Sequence, residues 1–87
     1  VKLNNEQYSK YQRDYGRLNY ILRERALKNP DFNALSNEDK TEYFSELRQS
    51  VEEAVKIVQF GHEPSRRLKP YTQEILDNYN DYIKEGD

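Results

Sequence analysis

Cysteine, methionine and tryptophan are all absent from the 87 residues, and histidine occurs once. Without cysteine the chain can build neither a disulfide framework nor a thiolate metal site, so thiol redox chemistry is excluded and a reducing compartment is the expected setting. No apolar run approaches the roughly 18 residues of a membrane span, and the N-terminus lacks the basic-then-apolar layout of a signal peptide. The chain is therefore expected to be soluble and intracellular, with a cytoplasmic location. Because it begins at valine, it reads as a trimmed product or a piece of a longer chain. A strong charge of one sign is lacking as well. The net charge is −2 and the isoelectric point about 5.5, whereas a DNA-binding domain ordinarily carries a strongly basic face.

What the chain does contain is charge and tyrosine. Hydrophobic and charged residues each make up 34%, mean hydropathy is −1.22, and eight residues are tyrosine. A chain of this length is one domain that buries only about 60 to 65% of its unfolded surface, so its core is small and a partner is expected to complete it.

Apolar side chains at Tyr8, Tyr11, Tyr15, Leu18, Leu22 and Ala26 recur at three- and four-residue steps, the period of one helix face. Asn4 and Gln7 have the spacing of a capping box, and Asn29 before Pro30 marks the end. Ser36 followed by Glu38 and Asp39 starts a second helix. There Phe44, Leu47, Val51, Ala54 or Val55, and Val58 repeat the stripe until Gly61 stops it. "GHEPSRRLKP" then breaks the pattern, with one short turn over 64–68 as an option, and Pro70 opens a third stripe of Tyr71, Ile75, Tyr79, Tyr82 and Ile83. The spacing predicts helices over 5–29, 37–60 and 71–85. The expected fold is all-α: an antiparallel helical hairpin (1–60), a connector (61–70) and a third, C-terminal helix (71–87), together a small three-helix bundle.

Charge supports pairing of the first two helices. Residues 1–30 hold seven cations against three anions, and residues 31–60 hold three against seven. In an antiparallel pair Arg23, Arg25 and Lys28 are expected beside Glu38, Asp39 and Glu42, each group also favourable to its own helix dipole. Gly16, in mid-helix at a cost of about 1 kcal/mol relative to alanine, calls for a close approach by another helix or a bulky ring.

No catalytic or cofactor pattern emerges. His62 and Glu63 are the one local hint of metal or acid–base chemistry, but a helical zinc motif needs a second histidine four residues on, and Arg66 stands there. Glu52 and Glu53 are adjacent in sequence and point apart on a helix, the wrong layout for a carboxylate pair. With no glycine-rich phosphate loop and no nucleophile elbow, no enzyme activity, metal or cofactor is expected. For nucleic acid, the alternative partner, the candidates are the basic cluster Arg66, Arg67 and Lys69 near Tyr71, with the arginines of helix 1 as a second surface.

Tyrosine buries a ring while keeping its hydroxyl near water, which suits a shallow core or the edge of an interface. Tyr8, Tyr11 and Tyr15 are read as packing within the chain. Tyr71, Tyr79, Tyr82 and Ile83, which follow the connector, are read as the partner-binding residues, for another protein or a second copy.

From Leu3 to Val58 the sequence also resembles a helical segment of large bacteriophage virion proteins, such as tail tape-measure and other ejected internal structural proteins. The resemblance lies in Leu3, the "YxxYxxxxG" spacing of Tyr8, Tyr11 and Gly16, the turn at Pro30 and Leu35, and the helix start Ser36, Glu38, Asp39 and Lys40. It covers about two thirds of the chain. It implies a non-enzymatic structural or packing role in a phage particle, with no catalytic residue to carry over.

Overall fold

The computed structural model describes residues 5–61, 63 and 68–85. Every regular element among them is helical: α1 (Asn5–Leu27), α2 (Pro30–Asn33), α3 (Asn37–Phe60), α4 (Thr72–Asp77) and α5 (Tyr79–Glu85). The all-α class therefore holds, with five helices in place of the expected three.

The two additional elements have local causes. The Asn29 side chain accepts the backbone N–H of Asp31 at 2.9 Å, and Pro30 supplies the fixed φ of a first helical position. A single turn follows, long enough to tuck Phe32 beside Tyr43 and Phe44 at centroid distances of 5.2 and 5.0 Å. The predicted C-terminal helix breaks at Asn78. Its side-chain amide donates to the Glu74 carbonyl at 2.9 Å, where its backbone N–H also donates at 3.2 Å, so the side chain competes for the acceptor that would continue the helix. The chain restarts as α5, with the Asn78 carbonyl accepting from Tyr82 N–H.

The start and stop of α3 match the sequence reading. Ser36 Oγ accepts the Asp39 N–H at 3.1 Å. Gly61, at φ +67°, adopts the left-handed conformation and donates its N–H to the Ile57 carbonyl. The short turn considered over 64–68 lies almost wholly outside the described residues.

Residue pairs between α1 and α3 run in opposite order along the two helices. Tyr11 stacks on Phe60, Asp14 meets Gln59, and Arg23 lies over Phe44. α4 lies against α3, held at its start by Tyr71 N–H to Ser50 Oγ (3.3 Å) and Thr72 Oγ1 to the Ser50 carbonyl (3.4 Å). α5 begins beside Asp14 and runs along α1 toward Arg25, whose guanidinium grips Glu85 at 2.7 and 2.8 Å. The core is Leu18, Val51, Ala54, Val55, Ile75, Tyr79 and Tyr82, contributed by α1, α3, α4 and α5.

Several expectations are corrected. Tyr8 and Val58 lie on the predicted stripes but are exposed, Tyr8 because α5 covers α1 only from Asp14 onward. Among the described residues nothing comes within 4 Å of a Cβ built on Gly16, so no close approach by them accounts for that glycine. Arg23 and Arg25 do not meet the acidic start of α3. Arg23 stacks on Phe44 at 5.2 Å and Arg25 pairs with Glu85, because α2 inserts between the end of α1 and the start of α3 and α5 reaches Arg25 first.

Candidate interaction surface

The residues expected to bind a partner are turned inward. Tyr79 is 8% exposed and Tyr82 7%, and both rings belong to the core. The break at Asn78 is responsible, since it redirects α5 onto α1 and carries the two rings with it. Tyr71 is half-buried against Tyr43, 5.2 Å between centroids, and Ile83 is half-buried against the core. These four residues therefore complete the fold and offer little open surface to another molecule.

Within this packed region lies a buried charge that the sequence reading counted only toward net charge. Asp14 is 4% exposed. Its Oδ2 accepts Tyr79 Oη–H and Gln59 Nε2–H, each at 2.6 Å, and Arg13 Nε lies 3.9 Å from Oδ1. Burial pushes the Tyr79 phenol well above its ordinary value, and its hydrogen bond to Asp14 pushes it further. The arrangement ties α1, α3 and α5 together. Among the described residues no buried side-chain nitrogen or oxygen is left without a partner, so this carboxylate is a satisfied structural group. Its position was readable, for Asp14 falls three residues after Tyr11 and four before Leu18, on the buried stripe itself.

Arg66, Arg67 and His62 lie outside the described residues. Lys69 is exposed, donates its backbone N–H to Glu53 Oε1 at 3.0 Å, and lines a shallow depression with Glu52, Glu53, Glu63 and Lys56, the last paired with Glu52 at 2.8 Å. Carboxylates outnumber ammonium groups there by one. Among the described residues no group of acidic side chains is placed to hold a metal ion, and no helix is long and apolar enough to cross a membrane.

The open side is the α1–α3 seam facing away from α4 and α5. Tyr15, Tyr20 and Arg23 of α1 face Phe44, Leu47 and Arg48 of α3 across a groove that Asn19 also lines, and no carboxylate of the described residues lines it. Tyr20 is 64% exposed. It is the tyrosine of α1 that falls off the three-and-four spacing, which is the sequence signal that could have marked it. Thr41 and Ser45 form one edge of this groove and also border a second strip of α3, made of Glu38, Glu42, Glu46 and Gln49. A basic, aromatic strip and an acidic strip thus run side by side with a line of small hydroxyl residues between them. Comparison of the chain with family models, with curated proteins and with solved structures finds no match.

Proposed function

We propose that this chain is a non-enzymatic helical module for protein–protein interaction or structural assembly, organised as a helical hairpin with a C-terminal arm that closes one side. The observation that carries the reading is the groove of Tyr15, Tyr20, Arg23, Phe44 and Arg48, left uncovered while α4 and α5 cover the opposite side. Exposed tyrosine and arginine are the side chains that concentrate binding energy at protein interfaces. The likeness of residues 3–58 to helical segments of bacteriophage virion proteins directs the proposal toward a component of a phage particle.

Nucleic-acid binding through Arg66, Arg67 and Lys69 is the second reading, and it has less support because the chain has a net charge of −2 and Lys69 shares its depression with Glu52, Glu53 and Glu63 as well as Lys56. A photo-crosslinking amino acid placed at Tyr20 and, in a second variant, at Lys69 separates the two. Protein adducts from Tyr20 in extracts or particles of the source, with DNA and RNA retained weakly at moderate salt, are the expected result. Adducts to nucleic acid from Lys69, with retention that falls steeply between low and moderate salt and none to protein from Tyr20, would overturn it.

A further inference from the structure

We propose that the cleft where α1, α3, α4 and α5 meet binds a short primary alkylammonium ion, its hydrocarbon tail entering the cleft and its charged head resting on Glu74 at the rim. The site lies on the α4 and α5 side of the helix pair and is independent of the open groove.

The shape of the cleft is amphipathic. Its volume is about 230 Å³, below the roughly 300 Å³ at which sites for drug-sized molecules begin. Ala26, Leu47 and Ile75, each 5% exposed or less, form an apolar floor with the half-buried Leu22. Tyr43, Tyr71 and Tyr82 wall it, and the exposed Arg25, Asn29 and Glu74 stand at its rim. A ligand with one short hydrocarbon end and one polar end matches this layout.

The rim decides the charge of the polar end. Arg25 is already matched, since its guanidinium grips Glu85 at 2.7 and 2.8 Å while lying 4.9 Å from the centre of the Tyr82 ring. Asn29 is engaged in capping α2. The Glu74 carboxylate accepts one long hydrogen bond, 3.4 Å from Tyr82 Oη, and among the described residues no ammonium or guanidinium pairs with it. Burial foremost, and then Glu74, raises the Tyr43 phenol; burial, Tyr43 and the carboxylates of Glu46 and Glu74 raise that of Tyr71. No cation of the described residues offsets those charges at either ring. The mouth is thus electronegative on its Tyr43 and Tyr71 side, where an ammonium gains a charge-assisted bond to Glu74 and has phenol oxygens within reach as further acceptors.

The test is a titration of the chain at pH 7 with ethylamine, propylamine, butylamine and pentylamine, read from the tyrosine ring signals by nuclear magnetic resonance. Shifts are expected at Tyr43, Tyr71 and Tyr82 and not at Tyr8 or Tyr20, with affinity rising about fourfold for each added methylene until the tail fills the floor. Butanol and pentanoate should bind about tenfold or more weakly than butylamine. Glu74→Gln, at an exposed position, should keep full helicity by circular dichroism and lose the preference for amine over alcohol. The same head and tail also occur in the first residue of a protein. A tripeptide beginning with leucine separates the sources: binding tighter than pentylamine assigns the site to protein N-termini, and weaker binding assigns it to free amines.

A ligand this small is expected to have a millimolar dissociation constant, so the absence of ring shifts at roughly 0.1 M butylamine overturns the proposal without any variant. So does affinity that ignores tail length, butanol that matches butylamine, pentanoate that binds more tightly than the amine, or peptide binding that survives acetylation of its N-terminus.

Discussion

Tyr79 donates its phenolic hydrogen to Asp14 at 2.6 Å across 65 residues of sequence, and Gln59 donates to the same oxygen at the same distance. One carboxylate thereby joins three helices. Asp14→Ala leaves the buried Tyr79 hydroxyl and the half-buried Gln59 amide without this acceptor, and an orphaned buried group costs about 1–3 kcal/mol. The variant should lose a large share of total stability by urea denaturation. Asp14→Asn, which keeps an acceptor oxygen, should lose less. Equal stability of all three proteins would show that these hydrogen bonds contribute little.

Alkaline pH should weaken the fold. Burial raises the Tyr79 phenol above the ordinary tyrosine value of about 10. The unfolded chain therefore loses this proton first and binds fewer protons than the folded one, so stability is full below about pH 10 and falls as pH climbs toward the folded value. Tyr11, Tyr43, Tyr71 and Tyr82 are raised as well, burial being the foremost cause in each, and act with the same sign. Urea midpoints from pH 8 upward should be flat and then decline, and Tyr79→Phe should decline less steeply. A midpoint that rises above about pH 10 would contradict the burial of these phenols.

Leu47→Asp tests the packing of α1, α3 and α4. Leu47 is 4% exposed and borders Leu22, Ala26, Tyr43 and Ile75. Placing a carboxylate there without a partner should cost about 3–5 kcal/mol, comparable with the whole stability of a small domain. Far-ultraviolet circular dichroism should report general loss of helix. Retention of full helicity would show that α1 and α3 do not depend on this seam.

The two described glycines should respond in opposite directions to alanine. At Gly16 a Cβ meets open space within a helix, so Gly16→Ala should stabilise by about 0.5–1 kcal/mol. Gly61 holds φ at +67°, which costs an L-residue about 1–2 kcal/mol, so Gly61→Ala should destabilise. Thermal midpoints moving the same way for both would refute one of the two backbone readings.

Much of the fold was legible because it is local. Ser36, Gly61 and the stripes of α1 and α3 act through residues within a turn or two of themselves, and those signals survive in sequence. The break at Asn78 was not legible, since the same asparagine on an exposed face would leave the helix intact. The spacing of Tyr79 and Tyr82 fits a core or an interface equally well, so sequence alone offers them as partner-binding residues; the deciding fact is their contact with Asp14 and Arg25, more than fifty residues away in sequence. The groove was missed for a related reason: Tyr20, Arg23, Phe44 and Arg48 share no sequence pattern, and only the opposite course of α1 and α3 brings them together.

Ile75, Tyr79 and Tyr82 close the core from α4 and α5. During translation, α1 and α3 will have left the ribosome while Leu18, Val51 and Val55 still lack their cover. Completion consequently waits until Tyr82 has cleared the exit tunnel, and a nascent chain stalled before that point will present uncovered aliphatic surface to chaperones.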